Sequence, residues 1–151
     1  MKRGFTLLEM MMVVVVIGIL VVIAVPNYQK AVELERWRAA RDLLMTIYYG
    51  QRTHFFASNA GTYCDVTGPL AANCCAAPPC WNEIHMDNPN LASVPITFTA
   101  TTDAAFKTFT GVAQHAPGGR CNNAFMQIDD TQPATIKNTG GWGTDTKCQC
   151  C

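Results

Sequence analysis

The chain has 151 residues, about one domain's worth, with 49% apolar types and only 15% charged, against about 25% charged in an ordinary soluble domain. Eleven basic and eleven acidic residues balance, which argues against the broad basic footprint of a nucleic-acid partner. All eight cysteines fall from Cys64 onward, a density that suits an oxidising compartment and disfavours a soluble cytosolic enzyme.

The apolar excess sits at the start. Of the 21 residues from Phe5 to Val25, only Thr6, Glu9 and Gly18 are not apolar. At ~1.5 Å per residue such a helix spans about 30 Å, the thickness of a bilayer's hydrocarbon. Lys2 and Arg3 stand ahead of it and favour a cytoplasmic N-terminus. A secretory signal has an apolar core of about 7–15 residues and then a small-residue cleavage site. Here the run is longer and ends Ile23-Ala24-Val25-Pro26. A plain anchor explains the length but not Glu9. A carboxylate at the centre of a spanning segment costs roughly 2.5–3.5 kcal/mol and marks a functional position, unless it snorkels from one end.

The order Gly4-Phe5-Thr6-Leu7-Leu8-Glu9-Met10, the Val-rich run, Ile17-Gly18-Ile19-Leu20 and Ala24-Val25-Pro26-Asn27-Tyr28 resemble the prepilin signature. Type IV pilins and type II secretion pseudopilins share it. The resemblance implies that a membrane prepilin peptidase removes residues 1–4, cutting between Gly4 and Phe5, and methylates the new N-terminus at Phe5. Residues 5–26 are then kept as a transmembrane and filament-core helix. The freed amine on Phe5 is mostly cationic at neutral pH and opposes the helix dipole, so a carboxylate one turn away stabilises it. Glu9 is that carboxylate, and it can meet its own amine or a neighbouring subunit's. Pairing matters because an unpaired charge is very costly in an apolar filament core. Glu9 is therefore assigned to assembly. Pro26 removes a helical hydrogen bond and predicts a kink near Ala24-Val25. By resemblance, the stretch from Gly18 to Pro26 can lose helicity on packing.

Beyond Pro26 the pattern turns amphipathic. Tyr28, Ala31, Val32, Trp37, Ala40, Leu43, Leu44, Ile47 and Tyr48 recur at three- and four-residue steps, with charged residues between them. One long helix is predicted from Phe5 to about Phe56, its half 27–56 laid on a small head. Arg36, Arg38 and Arg41 read as a solvated or subunit-facing surface. Ser58-Asn59-Ala60-Gly61 ends the helix, and the aromatic pair, turn and Thr62-Tyr63 again resemble type IV pilins.

The head, 57–151, holds a proline- and cysteine-rich loop (64–80). Strand-like runs follow at Ile96–Thr101, Phe109–His115, Ala124–Ile128 and, more weakly, Ala134–Lys137. A Cys-rich tail closes the chain. The predicted class is α+β: a long N-terminal helix packed on a small antiparallel sheet spanning about 96–137. So small a head commonly relies on disulfides. Cys64, Cys74, Cys75, Cys80, Cys121, Cys148, Cys150 and Cys151 can pair in roughly a hundred ways. The resemblance implies a bridge from Cys121 to the 148–151 cluster, worth about 3–4 kcal/mol for a loop of about 30 residues. The loop cysteines then staple 64–80 internally or to the tail.

No metal or other cofactor is expected. Cys74-Cys75 and Cys148-Gln149-Cys150-Cys151 do not form the paired spacing of a zinc knuckle, and His54, His85 and His115 are scattered. Asp129-Asp130 and Asp145 have the chemistry of a calcium loop but read as solvated turns, and Trp81 and Trp142 as surface residues covering disulfides. No catalytic constellation stands out. The resemblance implies a structural subunit held in the inner membrane and polymerised as a homo-oligomer into an extracellular filament for adhesion, movement or DNA uptake. Its partners are the peptidase, the inner-membrane assembly machinery and, before assembly, lipid. The alternatives are a type II secretion pseudopilin in a periplasmic piston and a membrane-tethered binding module. The cysteine count and the helix junction favour the pilus.

Overall fold

The structure, a computed structural model, describes residues 6–90, 95–117, 121 and 123–137. A single helix, α1 (Leu7–Ala57), runs for 51 residues without a break at Pro26. At ~1.5 Å per residue it is about 75 Å long. Two short 3₁₀ helices follow, Ala71–Asn73 and Trp81–Ile84. Four strands then form an antiparallel meander, ordered β1 (Ile96–Thr102), β2 (Phe109–His115), β3 (Phe125–Asp129) and β4 (Ile136–Lys137). The predicted class and element order hold. The weakest predicted strand shrinks to two residues, starting three residues after Pro133, which cannot donate to a ladder.

Period-2 alternation decides which face of the sheet is buried. Ile96, Phe98 and Ala100 of β1 face inward, as do Phe109, Gly111 and Ala113 of β2 and Met126 and Ile128 of β3. The register pairs Phe98 with Ala113 and Gly111 with Ile128. Onto this face α1 lays Ala40, Leu44, Ile47, Tyr48 and Gln51, one stripe at helical spacing. Gly111 makes the approach possible. A Cβ there would stand 3.0 Å from Ile128 Cγ2 and 3.4 Å from Ile47 Cγ2.

The buried stripe starts later than its sequence pattern suggests. Tyr28 and Ala31 were expected on the packed face and are exposed, and full burial begins only at Ala40. The sheet is too short to follow the helix further towards its N-terminus. Trp81, expected at the surface, is instead 1% exposed in the core. The 3₁₀ turn that carries it packs directly on α1 at Gly50, where a Cβ would lie 2.4 Å from the Ile84 carbonyl oxygen. Trp142 lies outside the described residues.

Three buried or half-buried amides and carboxylates tie the loop to this frame. Gln51 Nε2 donates to the Cys64 carbonyl at 2.7 Å and its Oε1 accepts from the Cys64 N–H at 2.9 Å. Asp65, fully buried, accepts from the Gly68 and Leu70 N–H groups, both at 2.8 Å. Asn90 pairs in the same two-way fashion with Phe98, donating at 2.9 Å and accepting at 2.6 Å. Val66 and Thr67 donate to the Ala100 carbonyl, and Thr67 Oγ1 accepts from the Ala100 N–H at 2.9 Å. The outward backbone groups of Phe98 and Ala100 on β1 are thus satisfied, which blunts that edge against pairing with another chain.

Candidate functional site

The N-terminal half of α1 is built to be bare. From Leu7 to Val25 every side chain is exposed, including Leu8, Met11, Val14, Val22 and Ile23. The most apolar window has a mean hydropathy of 3.0 and buries none of its residues, so by length and composition this helix can cross a membrane. A helix apolar all round is stable only in lipid or inside a larger apolar assembly.

Its first turn is organised by Thr6, which caps the helix with extended backbone. The Thr6 hydroxyl accepts from the Glu9 N–H at 3.3 Å. Thr6-Leu7-Leu8-Glu9 thus has the spacing of a capping box, a signal legible in the sequence. Glu9 is exposed in that first turn, where the unsatisfied N–H groups favour a negative charge. Gly4 and Phe5 lie outside the described residues. Gly18 has no atom within 4 Å of where a Cβ would sit. Among the described residues no packing contact therefore offsets its cost of about 0.5–1 kcal/mol in a helix relative to alanine.

Where α1 meets the head, charge reappears. Arg36 donates to Glu33 at 2.5 Å, and Glu33 also lies 3.6 Å from Nε2 of the buried His115 at the end of β2. Arg38 pairs loosely with Glu35 at 3.8 Å. Arg41 lies over the Trp37 ring at 5.9 Å, and Arg52 over Phe56 at 4.8 Å. Arg36, Arg38 and Arg41 are thus held by neighbours on the same helix, while Arg52 also donates to the Tyr63 hydroxyl at 3.1 Å, beyond the helix end.

Two disulfides staple the loop internally: Cys64–Cys74 and Cys75–Cys80, with Cα separations of 5.4 and 5.7 Å. Of the two arrangements expected for the loop cysteines, the internal one is observed. Cys121 is also disulfide-bonded. The bridge expected from it to Cys148, Cys150 or Cys151 involves residues outside those described, as does Asp145. Asp129 does not face an acidic cluster. It bonds to Lys137 and to the Thr131 hydroxyl, and Lys137's hydrogen bond, with Thr131's, holds its carboxyl below the usual carboxylate range. Among the described residues one group has metal-ligand chemistry. A His54 ring nitrogen and the sulfurs of Cys64 and Cys74 all lie within 4.8 Å of one another. Sequence spacing concealed it, because the three residues stand ten apart.

The class follows from the N-terminus. Residues 1–25 match the prokaryotic N-terminal methylation motif, over the same segment that carries Glu9 and the bare helix. A stretch of 54 residues is 43% identical to the "Type IV major pilin protein PilA" of Myxococcus xanthus (strain DK1622), covering 36% of this chain and 24% of that protein. Through this N-terminal part the chain is similar to type IV pilins. The match spans about a quarter of that relative's length. No solved structure gives a significant match to the chain.

Proposed function

We propose that this chain is a type IV pilin-like structural subunit. It is cut after Gly4, methylated on Phe5, stored as a single-pass protein of the inner membrane, and polymerised into a surface filament. One observation carries the reading: α1 is continuous from a fully exposed apolar half into a half that forms the core of a closed head. Burying each large aliphatic side chain of the bare half contributes about 1.5–3 kcal/mol, and a shared filament core provides that burial outside lipid. Glu9, one turn from the amine of Phe5, neutralises it during the transfer from bilayer to filament. The same residue in a purely anchoring helix would be a cost without return. Gly18 and Pro26 bracket a stretch whose helix is weakened at both ends, which suits a segment that repacks between lipid and protein. The internal disulfides and blunted sheet edge keep the head folded and unpaired on the outside.

The test is Glu9→Ala in the producing cell, read by sheared surface fibres and by subunit remaining in the membrane. Fibres are expected to disappear while membrane subunit persists. Normal fibres from that variant would overturn the assembly role. Fibres confined to the periplasm in the parent strain would assign the secretion pseudopilus instead.

A further inference from the structure

The cluster at the foot of α1 is held in place by contacts that do not pass through its disulfide. Cys64 is gripped at both its N–H and its carbonyl by the buried Gln51. Cys74 donates its N–H to the Ala71 carbonyl at 2.9 Å, and the turn before it is anchored by the two bonds to Asp65. His54 sits on α1 itself, its Nδ1 3.1 Å from the Thr62 carbonyl. Opening the Cys64–Cys74 bond therefore leaves two sulfurs and an imidazole converging from three independently fixed supports.

Their chemistry is that of a soft-metal site. Zn–S of about 2.3 Å and Zn–N of about 2.0 Å in a tetrahedron place ligand atoms roughly 3.5–3.8 Å apart. The three atoms here already lie within 4.8 Å of one another. The bond from His54 Nδ1 to a backbone carbonyl is the partner that metal-binding histidines use to fix their tautomer, leaving Nε2 with the lone pair. Cys64 is buried, while His54 and Cys74 are half-exposed. They border a cavity of about 120 Å³, lined also by Thr62, Tyr63 and Phe106. A water takes about 30 Å³, so a fourth ligand has room.

We propose that His54, Cys64 and Cys74 form a zinc site in the reduced chain, closed when the disulfide forms. Two thiols bind Zn²⁺ and release two protons. A disulfide-bearing oxidant then takes two electrons from the paired thiolates, leaving as two thiolates of its own. The Cys64–Cys74 bond forms and Zn²⁺ is expelled. The metal holds the loop in its final geometry before oxidation, and the reading does not depend on filament assembly.

The full-length chain in detergent micelles, reduced with a phosphine, is titrated with Co²⁺ and then with Zn²⁺ as competitor. One equivalent of Co²⁺ is expected to raise thiolate-to-metal charge-transfer absorption with the visible bands of a tetrahedral site, and Zn²⁺ to bleach both. His54→Ala should weaken binding by at least about tenfold. Cys64→Ser/Cys74→Ser should abolish the absorption, and Cys75→Ser/Cys80→Ser should leave it intact. The oxidised chain should give none. Absence of the bands in the reduced parent chain overturns the proposal. So does their survival in Cys64→Ser/Cys74→Ser, or equal affinity in His54→Ala.

Discussion

The two halves of α1 share one backbone and meet opposite environments. Between Met10 and Val25 the helix is apolar on every side and every side chain is exposed. Between Ala40 and Gln51 it is apolar on one stripe, and that stripe is the floor of the head's core. The difference teaches what periodicity decides. A stripe at three- and four-residue steps finds one sheet to cover it, whereas a helix without a polar side needs a solvent or assembly that surrounds it. Stability of the head and function of the anchor are therefore separable properties of a single helix.

Deleting residues 1–26 is the strongest way to break that comparison. The shortened chain should stay in solution without detergent. Its head should melt within the shift of about 1 kcal/mol, roughly 4–8 °C for a domain of this size, because no residue of Leu7–Val25 belongs to the head's buried core. A calorimetric scan of both forms checks it.

Substitution inside the packed half should do the reverse. Gly50→Ala drives a Cβ against the Ile84 carbonyl, a backbone atom that cannot swing aside. Overpacking of this kind costs about 1–3 kcal/mol, and urea unfolding of the head should show it with membrane insertion unchanged. Gln51→Ala sharpens the point. It leaves the N–H and carbonyl of the buried Cys64 without their partner, at about 1–3 kcal/mol per orphaned group. The same urea series measures it.

The smallest effect lies at the sheet's far edge. Lys137 and Thr131 hold Asp129 below the ordinary carboxylate range. A lowered folded value means stability that is present above about pH 3.9, the unfolded aspartate's value, and lost as pH falls through the folded one. Asp129→Asn should flatten that part of the acid limb by under about 1 kcal/mol, read from melting temperatures between pH 2 and 5. Asp103 in the β1–β2 turn, lowered chiefly by the Thr108 N–H, supplies a control that the substitution should not disturb.

Most of the architecture was legible because it rests on local pattern. Alternation marked β1, β2 and β3 to within a residue or so, and the stripe from Ala40 to Tyr48 marked the packed helix face. Thr6 and Glu9 could be read as a cap as well as part of a motif. The polar clamps could not. Gln51, Asp65 and Asn90 look like surface residues in sequence, and each is decided by a backbone group that folding brings to it. Gly50 gives no local signal either, since its role depends on a turn more than thirty residues downstream. Trp81 was misplaced for the same reason: the loop around it reads as exposed until the 3₁₀ turn docks on α1. His54, Cys64 and Cys74 share no motif spacing and meet only because the chain folds back at Ser58–Thr62, where Ser58 bonds Thr62 in both directions.

Retention and processing of the bare helix are tested most directly by intact mass. Protein from sheared surface fibres and from membranes would be weighed by mass spectrometry under non-reducing conditions. A chain that begins at Phe5 and carries one added methyl group, present in the fibres, is the expected result. A chain that keeps Met1, or one cut at the end of the apolar run so that the head alone is released, would contradict it.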